Sequence, residues 1–96
     1  MKITILGCGG SFGSPLAWER NGNIDIKNPN NFRTRSSVLI EINNKIILID
    51  TSPDLRTQLY KAKCTNIDAV LFTHSHSDHT SGLPDMRAMS LINKKI

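Results

Sequence analysis

This chain of 96 residues predicts an α/β fold, a mixed β-sheet with helices packed against it. Three observations lead there. Four short runs of aliphatic and β-branched residues are bounded by glycine, asparagine or polar clusters, as strands are. A segment with apolar residues at helical spacing separates the third run from the fourth. A second helical pattern follows the fourth run. Strands interleaved with helices imply a sheet that buries a face beneath them.

The elements follow in order. Lys2 to Leu6 is a β-branched run that stops at glycine, which predicts the first strand. Gly13 to Arg35 is a long connection containing Trp18, and structureless loops beyond about 12–15 residues are commonly functional, so a substrate-side loop is expected there. Ser37 to Ile42 and Lys45 to Ile49 predict two strands joined by Asn43-Asn44. Asparagine tolerates positive φ, so this pair predicts a tight hairpin. A helix follows, with Thr51 or Ser52 to cap it, Pro53 in its first turn, Asp54 at its positive end, and Leu55, Leu59 and Ala62 on one face. Ala69 to Phe72 is apolar throughout, which predicts a strand buried on both faces. A last helix is expected from about Pro84 to Ile92.

Composition bounds the function. The length suits one small domain whose core is only marginally stabilising. The net charge of +4 allows anionic or phosphate-bearing partners, and it equally describes an ordinary solvated surface. Cys8 and Cys64 form no C-x-x-C, so neither a zinc ribbon nor a redox motif is present; two reduced cysteines suit the cytosol, and a disulfide stays open. The apolar start ends at Gly7, too early for a signal peptide, and no stretch approaches the ~20 apolar residues of a membrane helix. The expectation is a soluble, cytoplasmic chain with no membrane partner.

All three histidines fall within His74-Ser75-His76-Ser77-Asp78-His79. Histidine is the commonest metal ligand among side chains. Side chains two apart in an extended segment share a face, so His74 and His76 can converge on one ion. Asp78 and His79 lie where the chain turns and can address a second. Two ions about 3.5–4 Å apart can hold a shared hydroxide, and metal binding lowers the pKa of water toward neutrality. The competing reading is a chance surface cluster. Asp50, after the third strand, either caps a turn or orients the histidine turn from behind, since ligand imidazoles donate their other N–H to an acceptor. The two roles are compatible.

Gly7-Cys8-Gly9-Gly10-Ser11-Phe12-Gly13 invites a dinucleotide reading, but Phe12 stands where that motif needs a small residue, and Pro15 follows instead of a helix. The glycines are expected to let backbone pass close to the metal pocket, with Cys8 either facing that pocket or buried as a small apolar residue. Arg33 and Arg35 can present two guanidinium groups to one phosphate; a solvated edge is the alternative.

The histidine cluster after an apolar strand resembles the signature of the metallo-β-lactamase superfamily. The glycine-rich opening through Ser14-Pro15, Asn28-Pro29-Asn30-Asn31-Phe32-Arg33-Thr34-Arg35-Ser36-Ser37, Ile49-Asp50-Thr51-Ser52-Pro53-Asp54 and Gly82-Leu83-Pro84-Asp85-Met86-Arg87 resemble its phosphodiesterase-like branch. That branch includes the carbon–phosphorus lyase accessory phosphodiesterase and is related to the tRNA 3′-processing endonucleases. The resemblance covers nearly the whole chain. It implies the N-terminal portion of an αββα sandwich, with His74 and His76 on a first metal and Asp78 and His79 on a second. Asp78 would also help orient the nucleophile, and Asp50 would support the site. The implied cofactors are two divalent ions, zinc first, with manganese or iron as alternatives. The implied reaction is hydrolysis of a small phosphodiester or an RNA end by a metal-bound hydroxide. Residues 16–35 contain none of the cysteines that build a structural zinc site in this branch.

The family completes its site with a third histidine, a bridging aspartate and a final histidine from downstream segments. Two metals need about six donor positions, counted from three protein ligands per catalytic zinc, and four are present here. Residues 1–96 are therefore expected to form a truncated domain, the N-terminal half of a hydrolase and not competent alone. A separate C-terminal half or self-association would cover the sheet. A non-catalytic metal-binding or interaction module, or a decayed gene fragment, is the alternative.

Overall fold

A computed structural model describes residues 1–16, 28–29 and 32–87. Its four strands are β1 (Lys2–Gly7), β2 (Ser37–Ile42), β3 (Lys45–Ile49) and β4 (Ala69–Leu71), with helix α1 (Leu55–Lys61) between the last two and a single turn of helix, α2 (Ser77–Thr80), after them. They form one sheet in the order β1-β2-β3-β4. β1–β2 and β2–β3 are antiparallel and β3–β4 is parallel, so the sheet is mixed.

The β2–β3 hairpin forms as the asparagine pair requires. Asn43 and Asn44 have φ of 49° and 63°, and Ile42 pairs with Lys45, which leaves a two-residue turn. Positive φ at both central positions suits the right-handed twist of the flanking strands. The parallel β3–β4 pair needs a crossover, and α1 supplies it.

Register assigns the two faces. Thr4, Leu39, Leu48 and Val70 lie side by side across the sheet. Leu39 and Leu48 pack there with Leu55 and Leu59 of α1 and with Ile67, and these five residues are the buried core. Leu6, Ile46, Cys64, Val70 and Met86 pack around it. The opposite face carries Ile3, Ile5, Val38, Ile40, Ile42, Ile47, Ile49 and Leu71. No described element covers it, and Ile3, Ile5 and Leu71 are more than half exposed.

This uncovered face corrects one expectation. β4 was expected to be buried on both sides, yet Ala69 and Leu71 are exposed and only Val70 is half-buried. An apolar run reports what a strand can bury, not whether a layer lies over it. The last helix is helical over residues 85–87, and the remainder of the expected segment to Ile92 lies outside the described residues, as does most of the 13–35 loop. Among the described residues no helix is long and apolar enough to cross a membrane.

The glycine-rich opening lets backbone approach closely. It packs against the segment preceding β2: Gly9 N–H donates to the Thr34 carbonyl at 2.7 Å, and Ser14 and Arg33 exchange backbone bonds at 2.9 and 2.8 Å. A side chain at Gly7 would run into the Arg35 carbonyl, so close backbone approach explains that glycine. Cys8 is exposed, not buried, and its Sγ accepts from Arg33 Nη1 at 3.2 Å. Both cysteines are free.

Candidate metal centre

The histidine turn sits at the carboxyl end of the parallel β3–β4 pair. The ladder continues past β3 with Asp50 N–H donating to the Leu71 carbonyl at 2.8 Å. Backbone bonds then tie the turn to the segment after β3. Thr51 N–H donates to the His79 carbonyl at 2.9 Å, and Gly82 N–H donates to the Thr51 carbonyl at 3.0 Å. The buried Thr51 hydroxyl donates to the Thr80 carbonyl at 3.0 Å. Gly82 is buried against Ser52, whose carbonyl a side chain would strike. The histidine turn is therefore anchored at its C-terminal end to the segment after β3 and preceded by the β3–β4 ladder.

Asp50 lies behind it. Its φ is 64°, a left-handed conformation that aspartate tolerates better than most residues. The buried Ser37 hydroxyl donates to the Asp50 carbonyl at 2.9 Å and so supports that conformation. The Asp50 carboxylate is also buried. Its Oδ1 accepts from Thr73 N–H at 2.8 Å, and its Oδ2 from the Thr73 hydroxyl at 2.8 Å. The same Oδ2 meets His79 Nδ1 at 2.7 Å. Burial pushes the carboxyl up, but the bonds from Thr73 and His79 outweigh it and hold it below the ordinary aspartate range. Of the two roles open to Asp50, the structure shows it gripping the histidine turn; the N-cap of α1 is Asp54.

The three imidazoles meet. His74 lies edge-on to His76 with ring centroids 4.6 Å apart, and tilted against His79 at 4.1 Å. Residues 74–76 are exposed, while Asp78 and His79 are half-buried. His79 Nε2 stands 3.1 Å from Asp78 Oδ2. With Nδ1–H committed to Asp50, a neutral His79 would turn a lone pair toward that carboxylate, and a cation between the two atoms removes the repulsion. A proton does so, and a metal ion does so equally: two donors bonded to one ion at about 2.0–2.2 Å lie about 3 Å apart. Imidazole and carboxylate are also the donor types that borderline divalent ions take. The donor chemistry therefore fits a metal. The assembly extends only to this pair, since no three His, Cys, Asp or Glu side chains among the described residues converge to hold an ion.

Arg35 is paired within the chain. Its Nε and Nη2 bond both oxygens of Asp54 at 2.9 and 2.8 Å, and its backbone N–H adds a third bond at 3.0 Å. These bonds hold the Asp54 carboxyl below its ordinary range, against an opposing push from burial. The buried Gln58 extends the clamp by donating to Thr34 Oγ1 at 3.0 Å and to the Arg35 carbonyl at 2.8 Å. Sequence reasoning missed Thr73 and Ser37, the two hydroxyls that define the setting of Asp50. The available signal for Thr73 was its position between the fourth apolar run and the first histidine.

Residues 45–95 match the beta-lactamase superfamily domain family. A diphosphatase of the PhnP family aligns over 92% of the chain with a TM-score of 0.86 and 39% identity, and the chain covers 35% of that structure. Zinc-bound PqqB from Methylobacterium extorquens aligns over 88% with a TM-score of 0.76 and 26% identity, with 33% of that chain covered. Among curated proteins, an octanoyltransferase of Porphyromonas gingivalis is 41% identical over 93% of the chain, which covers 18% of it. A ribonuclease Z of Clostridium kluyveri is 31% identical over 90% of the chain, which covers 24% of it. The chain thus spans a quarter or less of these curated relatives and about a third of the solved ones.

Proposed function

Because this chain belongs to the metallo-β-lactamase superfamily and its sheet corresponds to the N-terminal part of that fold, we propose that it carries the first metal-ligand segment of a metal-dependent phosphodiester hydrolase. His74, His76, Asp78 and His79 are the donors in this reading, and Asp50 orients them. The observation that carries it is the Asp50–His79–Asp78 line, in which a buried carboxylate holds one imidazole nitrogen while the other faces a second carboxylate at 3.1 Å. When bound there, a divalent ion supplies Lewis acidity toward a phosphoryl oxygen and lowers the pKa of a water molecule. The chain's own part is to fix imidazole orientation through Asp50 and to hold the donors in place through Thr51 and Gly82. Zinc is the first choice, with manganese or iron as alternatives. The similarities to a ribonuclease Z and to a PhnP-family diphosphatase support small phosphodiesters or RNA ends as substrates.

Four donors do not complete two ions, so residues 1–96 act as an N-terminal portion of the domain, about a third of the solved relatives' length, and are inactive by themselves. The downstream part of the domain that the longer relatives carry, or a second copy, covers the open sheet face. The test is hydrolysis of a chromogenic phosphodiester with added zinc or manganese. The 96-residue chain is expected to bind zinc in a His74-dependent manner with no turnover. Metal-dependent turnover by the purified chain overturns the half-site reading. The second reading, a non-catalytic metal-binding module, is favoured by the incomplete donor convergence. Zinc binding that still gives no turnover after the complementary half of a relative is added would select it.

A further inference from the structure

The hydrogen bonds around Asp50 determine where protons sit on the imidazoles. Both Asp50 oxygens are pure acceptors when ionised. Thr73 Oγ1 is 2.8 Å from Asp50 Oδ2 and 2.9 Å from His74 Nδ1. A hydroxyl has one proton to give. The carboxylate takes it, because no other donation satisfies that contact. The Thr73 oxygen is then an acceptor toward His74, and His74 Nδ1 must carry the N–H. In a neutral imidazole this leaves the lone pair on Nε2. His79 reaches the same state directly, with Nδ1–H donating to Asp50 Oδ2 at 2.7 Å. One carboxylate therefore sets both rings, one by contact and one through a hydroxyl. No described protein group bonds the His76 ring, so nothing comparable sets its tautomer.

We infer that Thr73 is a positioning residue that relays Asp50 to His74, fixing it as the Nδ1–H tautomer with Nε2 free as a donor. The inference rests on the metal-donor reading of His74 for its purpose, but its geometry stands without a metal. Substituting Thr73 leaves the His79 contact intact, so the two rings respond differently. The relay also explains the residue type: serine preserves the hydroxyl, whereas valine keeps the shape and removes both the acceptor and the donor.

The test is long-range proton–nitrogen NMR on the metal-free 96-residue chain at alkaline pH, where imidazole is neutral. In the native chain both His74 and His79 are expected to show a protonated Nδ1 and a bare Nε2. In Thr73→Val, His74 loses that signature and shifts toward the Nε2–H form, while His79 keeps it and reports that the fold survives. Thr73→Ser restores His74. A native His74 already in the Nε2–H form, or one unmoved by Thr73→Val while His79 is retained, overturns the inference. If Thr73→Val also loses the His79 signature, Thr73→Ser decides alone: both rings at Nδ1–H support the relay, and loss at His74 only refutes it. Zinc titration of the same samples asks the separate question. Removing an outer partner of a ligand imidazole weakens metal binding about tenfold or more, so Thr73→Val is expected to bind zinc at least that much less tightly than Thr73→Ser. A chain that binds no zinc in any form defeats the metal reading and leaves the tautomer result standing.

Discussion

The Arg35–Asp54 clamp makes the sharpest energetic prediction, because its bonds are fully specified. Two oxygens of Asp54 take three bonds of 2.8–3.0 Å from the Arg35 guanidinium and backbone N–H. The side chains are 30% and 23% exposed, so both charges are mostly withdrawn from water. At an effective dielectric near 20, unit charges at this separation attract by about 6 kcal/mol. Desolvation opposes most of that, and bonds to charged groups contribute about 1.5–3 kcal/mol net. A coupling of about 2 kcal/mol between Arg35 and Asp54 follows. The assay is a double-mutant cycle with Arg35→Met and Asp54→Ala, read by urea unfolding at neutral pH. With a slope of about 1 kcal/mol/M for so small a chain, Asp54→Ala should lower the midpoint by about 2 M. Asp54 makes no side-chain cap bond to α1, so loss of a cap does not confuse the result. The sign of the pH effect is fixed as well. The Arg35 bonds hold the Asp54 carboxyl below its ordinary value while burial pushes it up. Its stabilisation is therefore complete above about pH 4, the unfolded carboxyl range, and is lost as pH falls through the lower folded value. The native and Asp54→Ala midpoints should converge in acid. A coupling below about 0.5 kcal/mol would reduce the clamp to a surface contact and free Arg35 for a ligand.

Three further outcomes are expected. Leu48→Ala should destabilise the chain by about 3 kcal/mol in urea unfolding, since Leu48 is fully buried between the sheet and α1 and truncation there leaves a cavity. Asn44→Val should cost about 1 kcal/mol or more by the same measurement and Asn44→Gly little or nothing, because φ is 63° at that position. Asp50→Asn should weaken zinc binding about tenfold or more by calorimetry while the chain stays folded, since asparagine also accepts the left-handed backbone but cannot serve as the charged acceptor behind His79.

The legible parts of the fold were those encoded in neighbouring residues. β2 and β3 match the bounds of their apolar runs, and the asparagine pair forms the turn its chemistry favours. The histidine motif was visible because its donors lie within six residues. The parts that escaped depend on distant partners. Arg35 finds Asp54 nineteen positions away, a pairing that local spacing does not show. Thr73 is ordinary until Asp50, twenty-three positions earlier, adopts a left-handed backbone and aims its carboxylate at it. α2 has four residues, too few to show a period. Cys8 was expected to be buried because free cysteine commonly is, yet the glycines beside it bring backbone, not side chains, against residues 33–36.

The open face of the sheet joins the stability question to the chemical one. Its eight aliphatic side chains run across all four strands, and those at the two edges, Ile3, Ile5 and Leu71, are 57%, 67% and 55% exposed. Contiguous apolar patches of this breadth mark association surfaces. The candidate metal centre lies at the end of the same two strands, β3 and β4, and there no three candidate donors among the described residues converge. On the reading proposed above, one complement answers both deficits: a second layer laid over Ile47, Ile49 and Leu71 brings its own residues to the carboxyl end of those strands. Light scattering of the purified chain at micromolar concentration should then show self-association. Adding the complementary half of a relative should replace it with a one-to-one complex and tighten zinc binding in the same titration. A clean monomer that ignores the complement would separate the two deficits and leave the open face without a role in the site.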